Sequence, residues 1–101
     1  MEQKIIRGLK AAKAAFPEVS FIVFGSHARG NNRKDSDLDV CALFPEIRKD
    51  PFDLAFEVRT EIHKYLDMAI DVIICDQNLY SRRKNEQWSM EYSINREGIT
   101  V

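Results

Sequence analysis

The sequence predicts a small α/β (α+β) domain, a mixed β-sheet flanked by helices. Three observations carry that prediction. Residues 19–24, 38–44 and 70–75 are short β-branched and aromatic runs of strand length. Stretches with apolar residues at helical spacing stand before, between and after them. The chain has 101 residues, enough for one core and too few for a second, so residues 1–101 are read as one domain.

Ile5, Leu9, Ala12 and Phe16, with Ile6 beside them, recur at helical spacing and predict an amphipathic helix over residues 2–15. Pro17 stops it. Residues 19–24 follow as a strand that Gly25 ends. The loop through Asn31 and Asn32 is polar, and residues 38–44 form a second strand closed by Pro45. Asp50 before Pro51 is a helix-start signal, an N-cap carboxylate ahead of proline at the first helical position. Ala55, Val58, Ile62 and Leu66, with Phe52 and Tyr65 nearby, then give a helical stripe to about Leu66. The run IDVIIC is the third strand, and Asp76 or Asn78 caps a short helix carrying Arg82, Arg83 and Lys84. Trp88, Met90, Tyr92 and Ile94 alternate like a strand, yet Met90 and Ile94 also fit a helix ending at Gly98, which is the preferred reading. There is no internal repeat, low-complexity tract or linker.

Composition excludes several classes. Apolar residues make up 45% and charged residues 31%, a globular balance. A net charge of −1 argues against a general nucleic-acid binder, so no direct DNA binding is expected. No apolar stretch approaches the ~20 residues of a membrane span. The start, MEQKIIRGLK, has no long apolar region and does not read as a secretory signal. Cys41 and Cys75 both fall inside apolar runs, which predicts buried, reduced thiols in a cytoplasmic protein rather than a disulfide.

The chemistry concentrates in FGSHARGNNRKDSDLDV, residues 24–40. Residues two apart on a strand point the same way, which puts Asp37 and Asp39 on one face with Cα atoms ~7 Å apart. Leu38, Val40, Ala42 and Phe44 make the other face apolar. Asp71 opens the third strand in the same manner. If the two strands are neighbours, three carboxylates converge at one edge of the sheet. They would repel and raise one another's pKa unless a cation neutralises them. Mg²⁺ binds through one or two carboxylates plus substrate phosphates, and two such ions can clamp the attacking and leaving oxygens of a phosphoryl transfer. The Gly25-Ser26 turn is the complement: glycine lets backbone approach a phosphate, Ser26 opens a short helix, and Arg29 adds a forked cation.

Two rival loops fail. Gly25 and Gly30 have P-loop spacing, but Asn31 and Asn32 stand where Lys and Ser/Thr belong. Asp35, Asp37, Asp39 and Glu46 fit positions 1, 3, 5 and 12 of an EF-hand, but Val40 occupies the glycine position and VCALF is strand-like.

Gly25-Ser26, ten intervening residues and Asp37-x-Asp39 resemble the signature of the DNA polymerase β-like nucleotidyltransferases. GSHARG followed by SDLDV is similar to the minimal nucleotidyltransferases (MNT) of bacteria and archaea, and the likeness runs from the first helix to the ending REGITV. The resemblance implies the polymerase β-like fold, two Mg²⁺ ions (with Mn²⁺ able to substitute) and ATP as substrate. Asp37 and Asp39 would hold the metals. Asp71 would be the third carboxylate, metal ligand and base, with nearby Asp76 as the alternative. Gly25 and Ser26 would hold the β- and γ-phosphates. The family's usual partner is a helical HEPN ribonuclease toxin, to a tyrosine of which the nucleotidyltransferase transfers AMP as antitoxin. The contrasting reading is a non-catalytic antitoxin that blocks its toxin by contact alone. Whether the chain forms a homo-oligomer, and which nucleotide it prefers, stay open.

The remaining residues take plainer readings. His27 has no assigned role, and His63 is a surface residue of the middle helix. His27, His63, Cys41 and Cys75 have no zinc-site spacing. Arg82, Arg83 and Lys84 are read as a solvated helix face. Trp88 and Tyr92, four apart, are core or a partner surface, and exposure would favour the partner.

Overall fold

The computed structural model describes residues 1–101. The elements run α1 (Gln3–Ala12), β1 (Ser20–Phe24), α2 (Ser26–Arg29), β2 (Leu38–Phe44), α3 (Pro51–Ile62), β3 (Ile70–Asp76), α4 (Gln77–Arg83), α5 (Met90–Glu97) and β4 (Ile99–Thr100). The sheet order is β3-β2-β1-β4, with β1 antiparallel to both β2 and β4, and β2 parallel to β3. The sheet is therefore mixed. Helix α3 supplies the crossover that parallel strands require.

Strands β1, β2 and β3 each bury residues on both faces, one under each helix layer. Phe21, Val23, Leu38, Val40, Ala42 and Phe44 join Ile5 and Leu9 of α1 and Leu54, Val58 and Ile62 of α3. Ile22, Cys41, Leu43 and Cys75 face the other way, against Tyr80 of α4 and Ile94 of α5. This two-sided burial explains why the runs read as nearly continuous hydrophobes.

The helix ends are chemically marked. Asp50 accepts from the backbone N–H of Phe52 at 2.8 Å and of Asp53 at 3.3 Å. Asp76 accepts from Leu79 N–H at 3.0 Å, and Ser89 from Tyr92 N–H at 3.0 Å. Each carboxylate or hydroxyl satisfies a donor that the first helical turn leaves free.

Several boundaries differ from the expectations. Helix α1 ends at Ala12 and tightens into a 3₁₀ turn at Lys13–Ala15. Helix α3 stops at Ile62, four residues before Leu66, although Leu66 stays buried against α1. A Cβ at Gly8 would collide with the Leu66 side chain, so that contact depends on glycine. The last segment is helix and Gly98 caps it, but Trp88 lies in the preceding turn rather than on the helix. Strand β4 was not expected. Its two residues pair as Ile22↔Thr100 and Val23↔Ile99, and Val101 N–H donates to the Phe21 carbonyl at 2.9 Å. So short a strand is specified by its partner, not by its own pattern.

Leu38 is fully buried at the base of β2, where its N–H donates to the Ala69 carbonyl at 2.9 Å. Leu38→Ala should destabilise the protein by about 2–5 kcal/mol, the range for deleting a buried leucine side chain. Urea unfolding monitored by circular dichroism measures it; a loss below ~1 kcal/mol would mean this face is not the principal core.

Candidate active site

The register aligns three residues in one row across the sheet: Phe24 opposite Asp39, and Asp39 opposite Asp71. Register partners share a face, and Asp39 lies two residues before Cys41, so the row sits on the α4/α5 side of the sheet. Farther along that face, helices α4 and α5 cover Cys41, Leu43 and Cys75. Asp71 is solvent-exposed and Asp39 half-buried. Two acidic side chains thus stand side by side at the uncovered end of a sheet face that is otherwise apolar.

Asp37 precedes β2 by one residue and is exposed on the loop, so strand alternation does not fix its direction. Asp76 belongs elsewhere. It pairs with Phe44 at the far end of β3, where its carboxylate caps α4. Of the two candidates for third carboxylate, only Asp71 lies beside Asp39.

Electrostatics mark the cost of this arrangement. Burial pushes the Asp39 carboxyl above its ordinary range, and the Asp71 and Asp37 charges push it further; His27 and Arg29 act in the opposite direction. No three His, Cys, Asp or Glu side chains are gathered tightly enough to hold a metal ion as they stand. Asp39 and Asp71 are held side by side by strand pairing, and Asp37, on the loop ahead of β2, is close enough for its charge to act on Asp39.

The glycine-serine turn meets this pair directly. Gly25 has φ of +74°, and a Cβ on it would fall on the Asp39 carboxylate. Both facts demand glycine. Helix α2 is a single turn, closed by Gly30 in the left-handed conformation, with Arg29 N–H donating to the Gly25 carbonyl at 3.0 Å.

Two residues near the turn were missed from the sequence. His27 is buried, and its Nε2–H donates to the Ser36 carbonyl at 3.1 Å, tying α2 to the loop just ahead of Asp37. Glu97 accepts from Gly25 N–H through Oε1 and from Arg29 through Oε2, both at 3.0 Å. Arg29 is consequently engaged within the chain. Glu97 lies inside REGITV, 72 residues from Gly25, and no local spacing links them.

Elsewhere the structure is plain. Cys41 and Cys75 are free buried thiols with sulfurs 3.2 Å apart; their hydrogen bond and burial push the Cys41 thiol up. His63 is exposed, donating to the Met68 carbonyl. Trp88 is 74% exposed and lies under the Arg83 guanidinium. No helix is long and apolar enough to cross a membrane.

These features are those of a nucleotidyltransferase, and comparison with known proteins agrees. The nucleotidyltransferase domain family matches residues 5–95, so the chain belongs to that family. It is 31% identical over 64 residues to a Methanocaldococcus jannaschii protein named as a candidate protein adenylyltransferase; the match spans 63% of this chain and 64% of that one. A solved structure of a candidate Sulfolobus solfataricus nucleotidyltransferase is 27% identical, with a TM-score of 0.50 over 79% of this chain and 77% of that one. The fold also matches a toxin–antitoxin crystal structure with AMP-PNP: TM-score 0.59, 19% identity, 96% of this chain and 68% of that one. A second toxin–antitoxin structure, MntA–HpeT, gives a TM-score of 0.61 at 14% identity over 95% of this chain and 70% of that one.

The raised Asp39 pKa has a sign that can be checked. Its charged form is disfavoured in the fold, so stability falls as pH rises from the ordinary carboxylate value of 3.8 through the higher folded value. Asp39→Asn should therefore melt at a higher temperature than wild type at pH 7 with chelator present, and lose that advantage near pH 3. A lower melting temperature at pH 7 would show that the Asp39 charge stabilises the fold.

Proposed function

We propose that this nucleotidyltransferase uses Mg²⁺ to transfer AMP from ATP to a tyrosine hydroxyl of a partner HEPN ribonuclease toxin, and so acts as an antitoxin. The single observation that carries the site assignment is the Asp39–Asp71 pair beside the Gly25–Ser26 turn. The acceptor reading is supported by the minimal-family resemblance, by the adenylyltransferase relative and by the fold shared with toxin–antitoxin structures.

The residues fit a hard divalent cation in donor chemistry: Asp39 and Asp71 offer carboxylate oxygens, Asp37 adds a third, and their mutual repulsion is what a cation relieves. Asp37, Asp39 and Asp71 would hold it. When bound, the metal supplies positive charge that draws the triphosphate to the carboxylates and stabilises charge developing on its oxygens.

The chain's own groups do the rest. Gly25, lacking Cβ, lets the β- and γ-phosphates approach the turn, and Ser26 offers its N–H and hydroxyl to them. Arg29 sits at the end of the same helical turn, ready to share its remaining donors with a phosphate oxygen. The acceptor hydroxyl attacks the α-phosphorus, its O–P bond forms, and the bond to the bridging oxygen of the β-phosphate breaks. Asp71 takes the hydroxyl proton, and pyrophosphate departs past Gly25 and Ser26. Asp71 is exposed, which leaves room for a hydroxyl carried on another protein.

ATP should raise the melting temperature only when Mg²⁺ or Mn²⁺ is present, because the carboxylates otherwise repel the triphosphate. The double variant Asp37→Asn, Asp39→Asn should stay folded and lose the metal-dependent shift. Equal stabilisation by ATP with a chelator present contradicts the metal assignment.

With ATP labelled at the α-phosphate, both proteins incubated together should yield a labelled partner, heavier by one AMP or a multiple. Asp39→Ala should cut the rate about 10²-fold or more and no longer neutralise the toxin in cells. Full protection by Asp39→Ala would instead establish antitoxin action by contact alone.

A further inference from the structure

Gly25 follows the last residue of β1, so its N–H has no strand partner. It donates instead to Glu97 Oε1, while Glu97 Oε2 accepts from Arg29 Nη1. One carboxylate thus grips both ends of the α2 turn. An exposed ion pair alone would contribute little, but this carboxylate is 72% shielded and also satisfies a backbone donor at a positive-φ glycine, to which it brings charge-assisted strength.

Glu97 is itself fixed. It is the last residue of α5, and Gly98 N–H donates to the Ile94 carbonyl at 2.8 Å. A Cβ at Gly98 would strike both that carbonyl and Ile22, so α5 lies tight against β1. Immediately beyond, β4 pairs with Ile22 and Val23, and Lys13 Nζ donates to the Val101 carbonyl at 3.1 Å. The carboxylate is therefore delivered to the turn by strand pairing on the same strand that the turn ends.

We propose that Glu97 is a positioning residue: it sets the Phe24–Gly25 peptide plane and the Arg29 side chain so that the turn is pre-formed for a triphosphate. This rests on the nucleotide-binding role given to Gly25, Ser26 and Arg29 above. The Gly25 N–H points at Glu97, which anchors the Phe24–Gly25 peptide plane; from that anchored plane the Gly25 φ of +74° and ψ of −155° aim the next peptide N–H, that of Ser26. Without the carboxylate, the Gly25 N–H turns to water, the glycine regains its wide conformational range, and Arg29 is free to swing into solvent. Ligand binding must then order both, which lowers affinity without removing any group that touches phosphate. The negative Glu97 also offsets the Arg29 charge, so the turn presents oriented donors rather than a mobile cation.

The test is calorimetric titration of full-length protein, well below its melting temperature, with Mg–ATP and with Mg–tripolyphosphate, which has no base or sugar. Glu97→Ala should bind both about tenfold more weakly, as expected for losing one charge-assisted contact's worth of ordering. Glu97→Gln keeps an acceptor for Gly25 N–H but not the charge, and should be about threefold weaker. A residue that only held the fold together would lower the melting temperature and leave the affinity of the folded protein unchanged, which overturns the proposal. Tighter binding by either variant also overturns it, by showing that the carboxylate competes with phosphate. Should Glu97→Ala not fold, Glu97→Gln decides by the same criteria. Wild-type protein that binds neither ligand would instead refute the nucleotide site itself, and the positioning role with it.

Discussion

The parallel pairing of β2 with β3 is the constraint on which the rest of the site depends. Its register sets Asp39 against Asp71 at one end and Phe44 against Asp76 at the other. A one-residue slip would turn every β3 side chain to the opposite face. The hydrophobes prevent that slip: Ile70 belongs to the α1/α3 core and Cys75 to the α4/α5 core, so neither can change sides cheaply. Core packing therefore holds two like charges together that would otherwise separate. Burial first, and then the Asp71 and Asp37 charges, push the Asp39 carboxyl up.

Antiparallel pairing of β1 with β2 extends the same row to Phe24, and so places Gly25 over Asp39. The turn cannot carry a side chain there. Then β4 returns the chain to β1 and brings Glu97 to the turn from the other end of the sequence. Three strand pairings thus assemble a site whose residues are drawn from positions 25 to 97. The helices contribute walls and caps. This division suits a phosphoryl-transfer site, where most of the protein's work is positioning charges.

Much of the fold was legible in the sequence because the strands are buried on both faces and the helices carry local start signals. Asp50-Pro51 and Asp76 mark their helices with side chains that bond within three residues. The Gly25-Ser26 turn and Asp37-x-Asp39 were legible for the same reason, since their spacing is local. Contributions that depend on distant contact were not. Strand β4 has two exposed residues and exists through β1; Glu97 looks like any helix-end carboxylate until Gly25 is beside it. His27 reads as a polar residue in a polar loop, yet it is buried by tying that loop down. The choice between Asp71 and Asp76 was likewise a question of register, which one strand's sequence does not carry.

In the proposed reaction, Asp39 and Asp71 form a pair of like charges that a divalent cation and a triphosphate would neutralise. Carboxyl-carbon NMR of protein labelled at aspartate tests it most directly, by titrating Mg²⁺ in the presence of a non-hydrolysable ATP analogue. Large shifts should be confined to Asp39, Asp71 and Asp37, with Asp76 and Asp50 unmoved at their helix caps. Shifts centred on other aspartates, or none at saturating Mg²⁺ and nucleotide, would contradict it.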